Sequence, residues 1–214
     1  MSRASDICTE ERFLGDVREH VMEVVRDDGV SRHVRFKKPG TYCMHFDLIT
    51  WPGYLCYTGD MGCYVFRRLE DMFEFFRTDR THGSLRDGQT LAINPDYWGE
   101  KLEAMDRYDG FKAFSLDAFK TRVMERFAEF SENFSEGDKA TLLEEVEQQV
   151  LGVDDEHEAI AAIRGFETGR RVFNALFDDF WECSCMEYSY RFIWCCYALA
   201  WGIQKYDEAK GGAA

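Results

Sequence analysis

The sequence predicts an α+β fold in a single domain over residues 1–214. An N-terminal antiparallel β-meander of about five strands (20–68) is followed by short helices and a loop (69–110), then by a helical, bundle-like region (111–207) lying on the sheet. Three observations predict it. Apolar residues recur with period two between His20 and Arg68 and with helical spacing from Leu69 onward. Turn signals such as Asp27-Asp28-Gly29, Pro39-Gly40 and Trp51-Pro52-Gly53 separate the alternating runs. Helix-capping residues precede the later periodic segments. At 214 residues, 45% hydrophobic and 15% aromatic, the chain has the apolar material for a sizeable core.

Val21-Met22-Glu23-Val24-Val25 reads as the first strand, and Val30 to Phe36 as the second, where Val30, Arg32, Val34 and Phe36 alternate against Ser31, His33 and Arg35. The third places Tyr42, Met44, Phe46 and Leu48 on an apolar face and Cys43, His45, Asp47 and Ile49 on the other. Tyr54 to Thr58 and Met61 to Arg68 form a last hairpin. A two-residue Gly59-Asp60 turn of type II′ closes it, a register that sets Cys56 opposite Cys63.

Leu69, Met72, Phe73 and Phe76 predict a short helix over 69–77 that lies back on the sheet, followed by a polar loop over 78–88. Asn94-Pro95 supplies a cap and a first-turn proline for a helix from Asp96 to Arg107. Ser115 caps a helix carrying Phe119, Val123, Phe127 and Phe130. Ser135-x-x-Asp138 resembles a capping box ahead of Leu142, Leu143, Val146 and Val150, and Asp154 or Asp155 caps the helix after it. From Phe166 to Tyr206 apolar and aromatic residues occupy most of the circumference, as in a central helix, with an interruption near Glu182 to Glu187.

Forty acids against 26 Lys and Arg give a formal charge of −14. That argues against a phosphate-backbone binder, which works by presenting surplus cations, so no direct nucleic-acid binding is expected. No apolar run approaches the roughly 20 residues of a membrane span, and Met1-Ser-Arg-Ala-Ser-Asp6 lacks the apolar stretch of a signal peptide. The expectation is a soluble, cytoplasmic protein. The eight cysteines, at 8, 43, 56, 63, 183, 185, 195 and 196, then read as free thiols acting as small hydrophobes. Cys183-x-Cys185 and Cys195-Cys196 are poor starts for a zinc site. Two residues apart on a helix is about 200° of rotation, which points the pair to opposite sides. No cofactor is expected.

The acids cluster. From Glu129 to Glu158, eleven of them (Glu129, Glu132, Glu136, Asp138, Glu144, Glu145, Glu147, Asp154, Asp155, Glu156, Glu158) stand against one base, Lys139. Carboxylates spaced along helices can imitate duplex phosphates and occupy a basic groove on another protein, with salt-sensitive association. The plainer account of the same residues is a solvated helical face that confers solubility. Pairing Val34 with Met44 would set His33 opposite His45 and Ser31 opposite Asp47, so that two imidazoles and a carboxylate share a sheet face. Such a set can bind a metal or do acid/base work, or be merely a polar outer face.

Other motifs carry less. Gly59-Asp60-Met61-Gly62 lacks the strand-to-helix context and lysine of a phosphate loop. The Gly83-Ser84 pair lies in a polar loop rather than a nucleophile elbow. Trp51, Tyr54, Tyr57 and Tyr64 lack the basic groove of a single-strand stacking platform. Arg67, Arg68, Arg77 and Arg80 are the local basic concentration. They are expected to pair with the acidic segment, within the chain or in a second copy of a homo-oligomer.

The run Phe46-Asp47-Leu48-Ile49-Thr50-Trp51-Pro52-Gly53-Tyr54-Leu55 is followed by Thr58-Gly59-Asp60-Met61-Gly62 and by Leu69-Glu70-Asp71-Met72-Phe73-Glu74-Phe75-Phe76-Arg77. With the closing Trp201-Gly202-Ile203-Gln204-Lys205-Tyr206-Asp207, these segments resemble a family of uncharacterised bacteriophage and prophage accessory proteins. The resemblance implies a setting, the cytoplasm of an infected or lysogenic bacterium, and carries over no assigned catalytic residues. The expected function is a non-enzymatic, counter-defence role of the anti-CRISPR kind. In it a DNA-mimicking surface made of Glu129, Glu132, Glu136, Glu144, Glu145, Glu147, Asp154, Asp155, Glu156 and Glu158 binds and inhibits a host or defence protein with a basic face. The alternatives are a metal-dependent or acid/base enzyme on His33, His45 and Asp47, and a phage structural or assembly protein.

Overall fold

A computed structural model of the chain describes residues 8–79, 90–107, 110–182 and 184–211. Most of the polar loop expected over 78–88, with Arg80 and the Gly83-Ser84 pair, lies outside those residues, as does Cys183. In chain order the elements are α1 (Glu10–Val17), β1 (Val21–Asp28), β2 (Ser31–Lys37), β3 (Phe46–Trp51), β4 (Tyr54–Gly59), β5 (Gly62–Arg67), α2 (Met72–Asp79), α3 (Pro95–Gly99), β6 (Leu102–Ala104), β7 (Lys112–Phe114), α4 (Leu116–Phe130), α5 (Glu136–Gln149), α6 (Glu156–Gly165), β8 (Met186–Tyr188) and α7 (Tyr190–Ala209). The class is α+β, a six-stranded antiparallel sheet in the order β1 to β6 followed by helices.

The contacts fall into two compact units, residues 6–112 with 188–214, and residues 113–187. The reason is two separate sets of buried side chains. The region expected as one helical body over 111–207 is thereby divided, its last helix belonging with the sheet.

In the sheet unit, the inner face is the period-two set Val34, Phe36, Phe46, Leu48, Leu55, Tyr57, Tyr64 and Phe66, all buried. Helix α7 lies against it, with α1 and α2 alongside. Trp194 meets Phe13 edge-on at 4.9 Å and Phe46 at 5.6 Å, and its indole N–H donates to Asp16 at 3.0 Å. A glycine inside a helix costs about 1 kcal/mol of propensity. At Gly202 a Cβ would stand 3.0 Å from Leu48 and 3.1 Å from the Phe36 ring, so the missing side chain is what lets α7 lie this close to the sheet.

Several expectations are corrected here. The third strand begins at Phe46, not Tyr42, because Met44 takes a left-handed φ of 56° and the alternation over 42–45 runs through a loop. Val34 therefore pairs with Leu48 rather than Met44. Gly59 pairs with Gly62, making Asp60-Met61 the turn. A Cβ on Gly59 would fall 2.2 Å from the His45 carbonyl oxygen, which only glycine tolerates. Helix α3 ends at Gly99, and the segment expected to continue it supplies β6, paired with β5. The helix expected over Phe166–Tyr206 is α7 alone. Before it come two 3-10 turns, Phe173–Ala175 and Phe180–Glu182, with Asp179 left-handed between them at φ 58°, and the short strand β8. Helix α1, which the sequence reading did not anticipate, is capped by Thr9, whose hydroxyl accepts from Arg12 N–H at 3.2 Å.

The unit of residues 113–187 builds its core from Phe119 and Val123 of α4, Leu142 and Val146 of α5, Ala159 and Ile163 of α6, and Phe173 and Leu176. Ser115 and Ser135 cap as expected, and of the two residues offered for α6 the cap is Asp155. No helix among the described residues is long and apolar enough to cross a membrane.

Candidate functional site

Residues 113–187 hold 18 acids and seven bases, a formal −11 of the chain's −14. Of the ten carboxylates expected to form a partner surface, Glu129, Glu132, Glu136, Glu144, Glu147, Asp154, Asp155, Glu156 and Glu158 are exposed and Glu145 is half-buried. The helical period explains it on α5: with Leu142 and Val146 turned into the core, Glu136, Glu144 and Glu147 project away from that stripe.

Some of these acids serve the fold. Asp155 caps α6, accepting from Glu158 N–H at 2.9 Å, while the Glu158 carboxylate accepts from Asp154 N–H at 2.9 Å. Ser135 caps α5, its hydroxyl accepting from Asp138 N–H at 3.2 Å and donating to the Asp138 carboxylate at 2.8 Å. That hydrogen bond, with the Arg170 guanidinium, holds the Asp138 carboxyl below its ordinary range. Glu136 pairs with Lys139 at 3.1 Å, and Glu144 and Glu145 accept from Gln148 and Gln149. The side chains of Glu129, Glu132, Glu147 and Glu156 make no hydrogen bond or ion pair among the described residues.

Of the basic residues expected to answer this charge, Arg77 and Arg67 are engaged within the sheet unit. Arg77 forks onto Asp207, with contacts of 2.5 and 2.9 Å, and Arg67 lies over the Tyr54 ring at 5.3 Å with Glu103 at 3.8 Å. All of these belong to the sheet unit.

The histidine set comes together only in part. Because Arg35 stands opposite Asp47, the Asp47 carboxylate takes two hydrogen bonds from the Arg35 guanidinium, at 2.8 and 2.9 Å, and a third contact from His33 Nε2 at 2.8 Å. Burial alone would raise the Asp47 carboxyl, but these partners hold it below its usual value, and the Asp47 carboxylate in turn raises the Arg35 guanidinium. His45 is elsewhere. Its Nδ1 sits 2.7 Å from the Tyr42 carbonyl oxygen and 3.2 Å from Asp60, whose other oxygen accepts from Met44 N–H at 2.6 Å. It thereby fixes the 38–45 loop to the β4–β5 turn. The expected constellation is corrected to a His33–Asp47–Arg35 cluster whose carboxylate is already occupied. Among the described residues no group of three or more His, Cys, Asp or Glu side chains is placed to hold a metal ion.

A polar cavity of about 230 Å³, which the sequence did not signal, is lined by Arg122, Arg126, Asp178, Asp179, Phe180 and Glu182. The Arg126 guanidinium is committed to the Leu176 and Asp178 carbonyls at 3.0 and 3.1 Å. The cavity is below the roughly 300–1,000 Å³ typical of ligand pockets.

Fold and surface together define an acidic α+β protein whose charge resides in a helical unit. Scans against protein-family models, curated proteins and solved structures return no match for this chain.

Proposed function

We propose that this chain is a non-enzymatic interaction protein whose helical unit, residues 113–187, offers an acidic surface to a basic face of a partner protein. In the bacteriophage or prophage setting that the sequence resembles, the partner is a host or defence protein whose nucleic-acid groove accepts carboxylates where it normally takes phosphates. The observation that carries the reading is charge beyond the needs of the fold. Nine of the ten carboxylates are exposed, and Glu129, Glu132, Glu147 and Glu156 neither cap a helix nor pair with a base. Concentrated like charge weakens a compact unit and favours fast, salt-sensitive capture of an opposite surface. The saturated Asp47 carboxylate and the separate position of His45 weigh against the acid/base alternative.

The test is Glu129→Gln, Glu132→Gln, Glu144→Gln, Glu147→Gln and Glu156→Gln combined in the full chain, which preserves shape and removes charge. Affinity capture from bacterial lysate is run at low and high salt. The wild type is expected to retain a basic nucleic-acid-handling protein at low salt and release it at high salt, and the variant to retain none at an unchanged or higher melting temperature. Equal capture by the variant sinks the proposal.

A further inference from the structure

On the sheet face opposite the buried one, Cys56 of β4 and Cys63 of β5 bring their sulfurs to 3.8 Å, and both are free thiols. The sequence reading set them directly opposite. In the observed register Cys56 pairs with Val65 and Cys63 with Thr58, so the two cysteines are diagonal neighbours that reach one another through their side chains. Cys63 is exposed and Cys56 half-buried. Cys8, Cys185, Cys195 and Cys196 are buried and Cys43 is exposed, and the accessible sulfurs that stand 3.8 Å apart are those of Cys56 and Cys63.

We propose that Cys56 and Cys63 form a reversible redox site that closes to a disulfide by exchange with a small-molecule disulfide of the glutathione class. The exposed Cys63 thiolate attacks one sulfur of the small disulfide, forming a mixed disulfide and releasing one thiolate, which takes up a proton. The Cys56 thiolate then attacks the Cys63 sulfur and expels the second small thiol. Two cysteine thiols and one disulfide thus become one protein disulfide and two thiols. The order follows from exposure. Burial, then the neighbouring Cys63, pushes the Cys56 thiol up to about 12, so it is a poor first nucleophile. Once Cys63 is in the mixed disulfide its charge is gone, and attack by Cys56 is intramolecular, with the high effective concentration that proximity gives. Diagonal Cα atoms lie about 7–8 Å apart, beyond the usual span of a disulfide, so closure draws the hairpin together and the bond is readily reduced. The site stands on residues other than those of the proposed acidic interface and is independent of it.

The experiment exposes the reduced full chain to glutathione buffers of increasing oxidised fraction. The products are then read by alkylation, intact mass and peptide mapping. In the wild type both thiols are expected to be lost together, as a Cys56–Cys63 cross-link that carries no glutathione and reverses with dithiothreitol. In Cys56→Ser the reaction is expected to halt with glutathione retained on Cys63. A stable glutathione adduct on wild-type Cys63, no reaction at either residue, or cross-links that map to other cysteines or join two chains would each overturn the proposal. The wild-type map decides even if the serine variant folds poorly.

Discussion

In the sheet unit, three charge pairs lie at or near the core. Arg32 forks onto Asp71 at 2.8 and 2.9 Å beneath the rings of Phe73 and Tyr206, Arg35 forks onto Asp47, and Arg77 onto Asp207. In the helical unit the buried cluster is apolar, and the Arg170–Asp138 pair lies toward the surface. Its carboxylates stand on the surface, some as caps and some with no structural partner. The difference teaches where to look for function. A charge bound into the fold is held in place by the residues around it, whereas the exposed surplus on α4 to α6 is free to meet another molecule.

The hardest way to break this comparison is at the sheet's aromatic centre. Phe46 touches Phe36, Tyr57 and Trp194, with ring centroids 4.8 to 5.8 Å apart. Phe46→Ala is expected to cost about 3–5 kcal/mol by chemical denaturation. Hydrogen exchange should show the lost protection concentrated in the sheet unit. Equal loss across residues 113–187 would mean that the two units unfold as one body.

Next in size is a paired charge. Arg32→Met leaves the Asp71 carboxylate, one-fifth exposed, without its guanidinium, and is expected to cost roughly 2–4 kcal/mol at neutral pH. Burial raises the Asp71 carboxyl, but the Arg32 hydrogen bonds and charge, with the Phe73 N–H and the Arg77 charge, together outweigh it and the net position is below the ordinary value. A depressed carboxyl contributes its stability above the usual range near pH 4 and loses it as pH falls through the lower folded value. The gap between wild type and variant should therefore narrow below about pH 4. A gap that holds constant down to pH 3 would deny the pair its assigned role.

A smaller effect separates capping from charge within the acidic segment. Asp155→Ala removes the α6 cap and is expected to cost about 1 kcal/mol, while Asp155→Asn keeps the acceptor and stays within a few tenths. If both variants lose the same amount in a denaturation series, the charge rather than the cap matters at this position.

What the sequence disclosed follows the range of each interaction. The caps at Asn94, Ser115, Ser135 and Asp155 were legible because a cap is settled within three or four residues. Thr9 carried the same signal for α1, with Phe13 and Val17 one turn apart behind it. The β2–β3 register was not legible, because the alternation at Tyr42 and Met44 continues through a loop whose left-handed Met44 no local pattern announces. That displacement scattered the expected histidines and created the unforeseen Arg35–Asp47 pair. Strand β6 depends on partners far upstream, Val65 for Ala104 and Phe66 for Leu102, and lies beyond any local signal. The acidic surface was readable from charge counts alone, whereas the division into a cap, an ion pair and an unpartnered carboxylate required coordinates.

The smallest expected effect is the sharpest test of that division. The Gln variant at Glu129, Glu132, Glu144, Glu147 and Glu156 removes five charges, none of which caps a helix or pairs with a base, so its unfolding free energy should stay within about 0.5 kcal/mol of wild type. Salt supplies the second reading. Exposed like charges repel over a distance that shrinks to about 10 Å at 0.1 M salt, so wild type should gain stability as salt rises, and the variant should gain less. A variant that loses more than about 1 kcal/mol would show the surplus carboxylates to be bound into the fold after all, and the contrast between the two units would then fail.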